Sequence, residues 1–596
     1  MHCCLLVSKI DFEIIQKKEF NKLSFGLREI IKALSKSKAI TKISLGPIYL
    51  EEDKSKSSFY LNSIYNKLIL KIDTFTFKVS KLIDWIDAKI NRYTLKPNQL
   101  QSEHIINFKK KLCGVYKFLQ FRDNSYSYTY IDSKFKNCLP NFDFLFRGSG
   151  LKIEKGKILS SYSKLGCLSL HHGDNLINRG GPVGFWEVYY RQSSGITAQI
   201  LSSELDGGVI IYRSRLRTLM NPFANYINIY KNTCPTLLVT FNKIKKFNTK
   251  PSNSWISHNK INLYSGMILK LPRWYKSLSL SSFHLLFTCL FLPIRLYMLI
   301  KSLFCNPYNR WGISVTTEIE KRLEKWTEVT VDTNSKRKDD WVADPFFARV
   351  GGSDYIIFEQ FRWLKRKGEI SYKKVFYDKK NNTLTLSDEN KLLLENNFHL
   401  SYPCTFERYG NTYMIPENNY NGLYLYQIMA MDNEVNDDLK VRKIQKLLDG
   451  RCMDPTLFHY EGVDYVFVTE VDETKETLFL FMSDDITKFP LNQHPDSPIL
   501  VDHRLGRSAG RIFVNNEGKI IRPSQKSDRY YGEGIIFSEI KLNKIQFEII
   551  GETERIIPPK YSSFKHLHHF DFRDGMFVCD YVKKKNFPIR PFFKNI

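Results

Sequence analysis

Four related phrases recur through the second half of this chain, and no other feature restricts its folding as much. Trp341-Val-Ala-Asp344-Pro345-Phe, Tyr402-Pro-Cys-Thr-Phe406-Glu407, Met453-Asp454-Pro455-Thr-Leu-Phe and Ser508-Ala-Gly510-Arg511-Ile-Phe each lead into an aromatic or β-branched run. YIIFEQF, TYMIPEN, YLYQIMA, YVFVTE, LFLFMS and RIFVNN have the texture of short strands separated by turns. A unit that returns every ~50 to 60 residues has too few neighbours to cover its own apolar face and must stack against the next copy. From Trp311 onward the pattern therefore predicts an all-β closed architecture, and at this length a propeller fits better than a sandwich.

Acids stand at the starts of these units. Asp344 and Asp454, with Glu407 and Glu417 between them, are expected to converge on the central funnel of such a ring. Two carboxyl groups there can perform general acid and base work on a glycosidic bond, hydrogen-bond sugar hydroxyls without chemistry, or cap turns that repeat because blades repeat. The phrases WVADPF, SYPCTFE and MIPE resemble the N-terminal domain of the plant glucosamine inositolphosphorylceramide transferases and, more broadly, the five-bladed propeller of family-43-like glycoside hydrolases. That resemblance implies a carbohydrate-active or glycan-binding domain over residues 311–596.

The first half carries a different chemistry. A short apolar run, Leu165 to Leu170, reads as a buried strand that delivers His171 and His172 at its carboxyl end. Asp206 follows in a Leu-Asp-Gly-Gly turn, and an acid beside an imidazole can orient it and stabilise its charged form. Ser169-Leu170-His171, Arg179-Gly180-Gly181-Pro182, Ser194-Gly195-Ile196-Thr197 and Leu205-Asp206-Gly207-Gly208 together resemble the successive motifs of the formyltransferase family, with Ser169 where the family has asparagine. The resemblance implies an α/β Rossmann-like core over residues 1–230. It further implies that this core moves a formyl group from 10-formyltetrahydrofolate to the amine of an amino sugar, nucleotide-linked or part of a surface glycan.

In that reading His171 and Asp206 are catalytic and Ser169 donates to the formyl oxygen, with His172 as the alternative imidazole. Arg179, Gly180, Gly181 and Gly207 would contact the cofactor. No metal is expected, because no further histidine or cysteine stands at coordinating spacing from the His171-His172 pair. Helical periodicity is visible over Phe25 to Leu34 and over Leu61 to Ile86. The opening MHCCLLVS and the run Asn141 to Gly150 read as buried strands.

The formal net charge is +27, from 89 Lys and Arg against 62 Asp and Glu. It favours anionic partners at long range. No zinc finger, helix-turn-helix signal or arginine cluster reads as a nucleic-acid module, so no specific nucleic acid is expected. Eleven cysteines without a C-x-x-C pair, and an opening too soon interrupted by charge for a signal peptide, place the chain in the reducing cytoplasm. Residues 231–310 read as a basic and apolar connector. Within it, Leu278 to Cys305 suits either a helix packed between domains or an interfacial helix on an anionic membrane surface. The leading expectation is an amino-sugar N-formyltransferase. The alternatives are a hydrolase or glycosyltransferase working through the propeller, and a glycan-binding protein with a degenerate first domain.

Overall fold

The computed structural model describes residues 1–50, 100–123, 126–148, 153–155, 158, 161–174, 178–179, 183–202, 208–219, 221–248, 267–268, 311–318, 327–329, 340–418, 422–431, 438–470, 477–527, 531–556 and 564–583. The chain divides into two units, Met1–Phe304 and Cys305–Ile596.

In the first unit, β1 (His2–Ser8) is buried on both faces. Cys3, Leu5 and Val7 point into one apolar cluster, and Cys4 and Leu6 into another. Period-2 alternation with no polar face marks a central strand of a sheet covered on both sides. The strands β2 (Lys42–Leu50), β3 (Leu112–Val115), β4 (Phe118–Asp123), β5 (Tyr126–Ile131), β6 (Phe144–Arg147), β7 (Ile153–Lys155) and β8 (Cys167–His171) build outward from it. β8, β6, β1, β2 and β4 lie side by side and parallel. Ser194–Ile200 then pairs antiparallel with β8, and Val209–Leu216 antiparallel with that strand.

Helix α1 (Lys9–Gln16) follows β1 directly, with Ser8 as N-cap accepting from the Asp11 backbone N–H. Helix α2 (Phe25–Lys36) is capped by Ser24 in the same way. Their apolar faces share the larger cluster with Cys234, Leu237, Phe241 and Ile244. Those four residues lie on the helix Thr233–Asn248. The described start of the expected connector is thus part of the first unit's core, because its apolar stripe covers the sheet. Ile43 to Ile48, which reads as a strand and a turn, is one continuous strand through Gly46-Pro47. Leu61 to Ile86 and Leu278 to Cys305 lie outside the described residues. No described helix is long and apolar enough to cross a membrane.

The second unit is β-rich and propeller-like, built from five antiparallel meanders. Blade 1 opens with Trp341–Val350, blade 2 with Leu400–Arg408 and blade 3 with Cys452–Tyr460. Blade 4 runs from Phe513–Val514 to Phe547–Ile556. Blade 5 joins two distant pieces of chain, with Trp311–Thr316 antiparallel to Met576–Lys583 and Ile313 opposite Asp580.

One apolar cluster fills each junction. Ile357 and Tyr372 meet Met414 and Ile428 between blades 1 and 2, and Ile415 and Leu425 meet Leu457 and Val466 between 2 and 3. Phe467 meets Ile520 between 3 and 4, Phe537 meets Phe570 between 4 and 5, and Val578 meets Ile356 between 5 and 1. The ring closes because every blade is apolar on both faces and only a neighbour can cover each of them.

Candidate functional site

The recurrent phrases share one backbone irregularity. Pairing of the first two strands of a blade slips between Ala343 and Phe346, between Ser401 and Cys404, and between Met453 and Thr456. Each slip leaves a residue and a following proline unpaired: Asp344-Pro345, Tyr402-Pro403 and Asp454-Pro455. Proline has no N–H for the ladder, which makes a bulge the place for it in a paired strand. The preceding residue sits at positive φ in all three, +52° at Asp344, +45° at Tyr402 and +47° at Asp454. Such angles are uncommon for residues other than glycine and concentrate at functional sites. Blade 4 meets the same demand with Gly510 at +122°, where a Cβ would stand 1.8 Å from the Phe570 carbonyl oxygen.

Fifteen residues after each of these positions comes the partner strand's contribution: Glu359, Glu417, Thr469 and Gln525. Glu359 and Glu417 are buried together with Asp344 and Asp454. The Asp454 backbone N–H donates to Glu417 Oε2 at 3.0 Å, and the Asp454 carboxylate receives both arms of Arg507 at 2.6 and 2.8 Å. Tyr531 lies under that guanidinium, 5.2 Å from ring centre to carbon. Glu359 hydrogen-bonds Asp344. His399 Nδ1 accepts from the Gly368 N–H at 2.8 Å, so its Nε2 carries the hydrogen that faces Glu359 Oε1 at 3.4 Å.

Blade 5 closes the cluster with a second ion pair. His568 Nδ1 lies 2.5 Å from Asp580 Oδ2, and its Nε2 is 3.6 Å from Asp344 Oδ1. The backbone N–H groups of His568 and His569 both donate to Asp580 Oδ1. The Trp311 ring stacks on His568 at 4.0 Å.

These surroundings separate the protonation states. Burial pushes Glu417 up to about 8, with the Asp454 charge adding to it, and burial pushes Asp344 up to about 7 against the pull of His568. Burial, then Asp344, holds Glu359 well above the usual carboxyl range. Burial also works on Asp580, but its charge pairing with His568 outweighs that and leaves it below the usual value. The site thus presents carboxylic acids and ion-paired carboxylates side by side. Donor atoms of Asp344, His568 and Asp580 lie within 4.8 Å of one another, a set of types able to hold a divalent cation where no metal is expected from the sequence motifs.

Of the four acids named from the sequence, the structure gathers Asp344, Glu417 and Asp454 in this buried cluster and places Glu407 elsewhere. It lies five residues past the Tyr402 bulge at the outer end of its strand, exposed, where it pairs with Arg573 at 2.6 Å. Blade 2 places Tyr402 where blades 1 and 3 place aspartate. The Tyr402 hydroxyl accepts from the Gly510 N–H and meets Thr456 Oγ1, each at 2.9 Å, tying three blades together. Tyr402→Phe should leave the Gly510 N–H buried without an acceptor and cost about 1–3 kcal/mol in chemical denaturation.

In the first unit, β8 places Ser169 opposite Gln199 and His171 opposite Thr197, so the first and third motifs stand side by side. His172, half-buried like His171, is taken up by packing. Its ring stacks on Tyr230 at 4.3 Å, Nε2 meets Thr233 Oγ1 at 3.1 Å, and burial followed by the neighbouring His171 lowers its pKa to about 3. That environment makes His172 a neutral packing residue. Asp174, which the motif reading passed over, is buried and pairs with Arg213 at 3.3 Å. Asp206, Gly180, Gly181 and Gly207, and the side chain of Arg179, lie outside the described residues.

Residues 327–562 match the family model described as glucosamine inositolphosphorylceramide transferase 1, N-terminal. This stretch lies within the second unit. Glucosamine inositolphosphorylceramide transferase 1 of Arabidopsis thaliana is 26% identical over 255 residues, covering 40% of this chain and 31% of that protein. The protein of the same name from Oryza sativa subsp. indica is 28% identical over 214 residues, covering 35% and 26%. The chain thus spans under a third of the length of these curated relatives. A thermostable family-43 glycoside hydrolase aligns over 39% of this chain and 100% of its own, at 12% identity and a TM-score of 0.24.

Proposed function

We propose that the propeller-like unit is a carbohydrate-active site that makes or breaks a glycosidic bond to an amino sugar. The observation that carries this is the gathering of Asp344, Glu359, Glu417 and Asp454 in one buried cluster, in which burial raises Asp344, Glu359 and Glu417 above the usual carboxyl range. Buried carboxyl groups that keep a proton to give, beside one held ionised by an arginine, are what glycosyl chemistry at neutral pH uses. In this reading Glu417 gives its proton to the leaving oxygen, and Asp344 takes one from the attacking hydroxyl or water. The Asp454–Arg507 pair, already committed to each other, positions Glu417 through the Asp454 N–H. Similarity to proteins named as glucosamine transferases supports the amino sugar as the substrate class.

The test is turnover and binding across glucosamine-containing oligosaccharides and nucleotide-linked glucosamine. At least one should bind saturably and react, and Asp344→Asn should lower turnover by about 10²- to 10⁴-fold. Neither binding nor product from any of them would overturn the reading.

A second reading applies to the first unit, favoured by the placement of Thr197 against His171 beside Ser169. It is formyl transfer to the amine of an amino sugar, with 10-formyltetrahydrofolate supplying the formyl group. Ser169 would donate to the developing oxyanion, and His171, oriented by Asp206, would hold the proton lost by the amine. Mass spectrometry should show a formylated amino sugar that is lost in His171→Ala and retained in His172→Gln. Retention in both would remove His171 from the chemistry.

A further inference from the structure

We propose that Cys113 is a nucleophilic thiol served by His2 as its base, and that it reacts with low-molecular-weight disulfides. Cys113 is exposed on β3, where the amino-terminal ends of β1, β2 and β3 come together. Its Sγ lies 3.2 Å from His2 Nε2, 3.5 Å from Ser44 Oγ and 3.3 Å from the Ile43 carbonyl oxygen. A thiol and an imidazole within hydrogen-bond reach, with the imidazole held by a third group, form an activated nucleophile. Phe142 and the backbone anchor on Asp143 hold the ring, while Ser44 Oγ, 2.9 Å from the same nitrogen, competes with the thiol for it. Phe142 meets the ring edge-on at 4.9 Å, and the His2 backbone N–H is fixed on Asp143 Oδ2 at 2.7 Å.

The charges facing His2 keep it ready to accept a proton. Burial, then Lys42 and the chain's α-amino group, lower its pKa against the pull of Asp143, leaving the imidazole neutral at pH 7. In the reaction, the thiol proton moves to Nε2 as Sγ attacks one sulfur of the disulfide. A new S–S bond forms, the old one breaks, and the departing thiolate takes up the proton from His2.

The molecule carries its own controls. Cys138 is also exposed, and among the described residues its sulfur meets the Lys134 carbonyl at 3.9 Å and has no imidazole within hydrogen-bond reach. Cys3 is buried, and burial pushes its thiol up to about 12. His171 ends β8, which runs parallel to β1 through β6, so the thiol lies at the opposite edge of the sheet.

The experiment incubates the full chain with oxidised glutathione at pH 7 and follows the mixed disulfide at each cysteine by peptide mass spectrometry. Cys113 should react at least about threefold faster than Cys138, because the neighbouring imidazole takes the thiol proton as the sulfur attacks. His2→Gln should bring the two rates together, and Ser44→Ala should leave Cys113 as fast or faster. Equal rates in the unsubstituted protein, or an undiminished ratio in a folded His2→Gln variant, would overturn the proposal. Should His2→Gln fail to fold, His2→Asn takes its place, and an undiminished ratio in that variant would overturn the proposal equally.

Discussion

Glu417→Gln should make the propeller-like unit more stable at pH 8, by an amount on the order of a few kcal/mol, while changing little at pH 4. The sign follows from burial, which lifts the folded-state value to about 8. Below the ordinary carboxyl value the group is protonated in folded and unfolded chains alike. As pH rises past that value, the unfolded chain ionises first and gains, so stability falls until the pH passes the folded value. Glutamine has the shape of the protonated acid and keeps an acceptor for the Asp454 N–H, but never ionises. The same substitution should remove turnover of an amino-sugar substrate by about 10²- to 10⁴-fold, because glutamine has no acidic proton to give. Urea denaturation at both pH values, with turnover measured on the same samples, checks the prediction. A residue retained for packing would show no such opposition between stability and activity. Equal stability of the two proteins at pH 8 would remove Glu417 as a buried acid.

Arg507→Met should cost about 3–5 kcal/mol, since it leaves the buried Asp454 carboxylate without its bidentate partner. The double substitution Arg507→Met with Asp454→Asn should recover most of that loss, because asparagine tolerates the positive φ at this position and leaves no charge to desolvate. Denaturation midpoints of the two single variants and the double variant form a cycle that isolates the coupling. Additive losses would mean that Arg507 and Asp454 stabilise the ring through other neighbours.

The ring was legible in the sequence because its repeat is written in residue types. Proline after aspartate or tyrosine, followed by aromatic strands, marks the same bulge in three blades. Glu407 was misplaced because an acid close to such a phrase looks equivalent to one inside it, whereas direction along a strand depends on register. The fifteen-residue offset from bulge to partner strand, constant over four blades, would have selected Glu359 and Glu417 without further information. His568 and Asp580 carry no comparable signal. They belong to the blade whose strands come from distant parts of the chain, and its phrases do not repeat the others. In the first unit, the unbroken apolar run Cys3 to Val7 disclosed a buried strand, but two adjacent histidines look alike in a sequence. The ring of Tyr230 over His172 and the contact of His172 with Thr233 set that residue apart.

The strand that closes the ring also supplies the site. Asp580 lies on the last described strand, paired across to Ile313, and Trp311 on that same early strand covers His568. A ribosome that has made the first four blades has therefore made Asp344, Glu359, Glu417, Asp454 and Arg507, but not the group that balances His568. The acidic centre lacks both His568 and its partner Asp580 until those residues arrive and the first and last strands of the ring meet. Closure of the ring and assembly of the chemistry become one event, and a chain cut before this hairpin would carry neither the seam nor the ion pair.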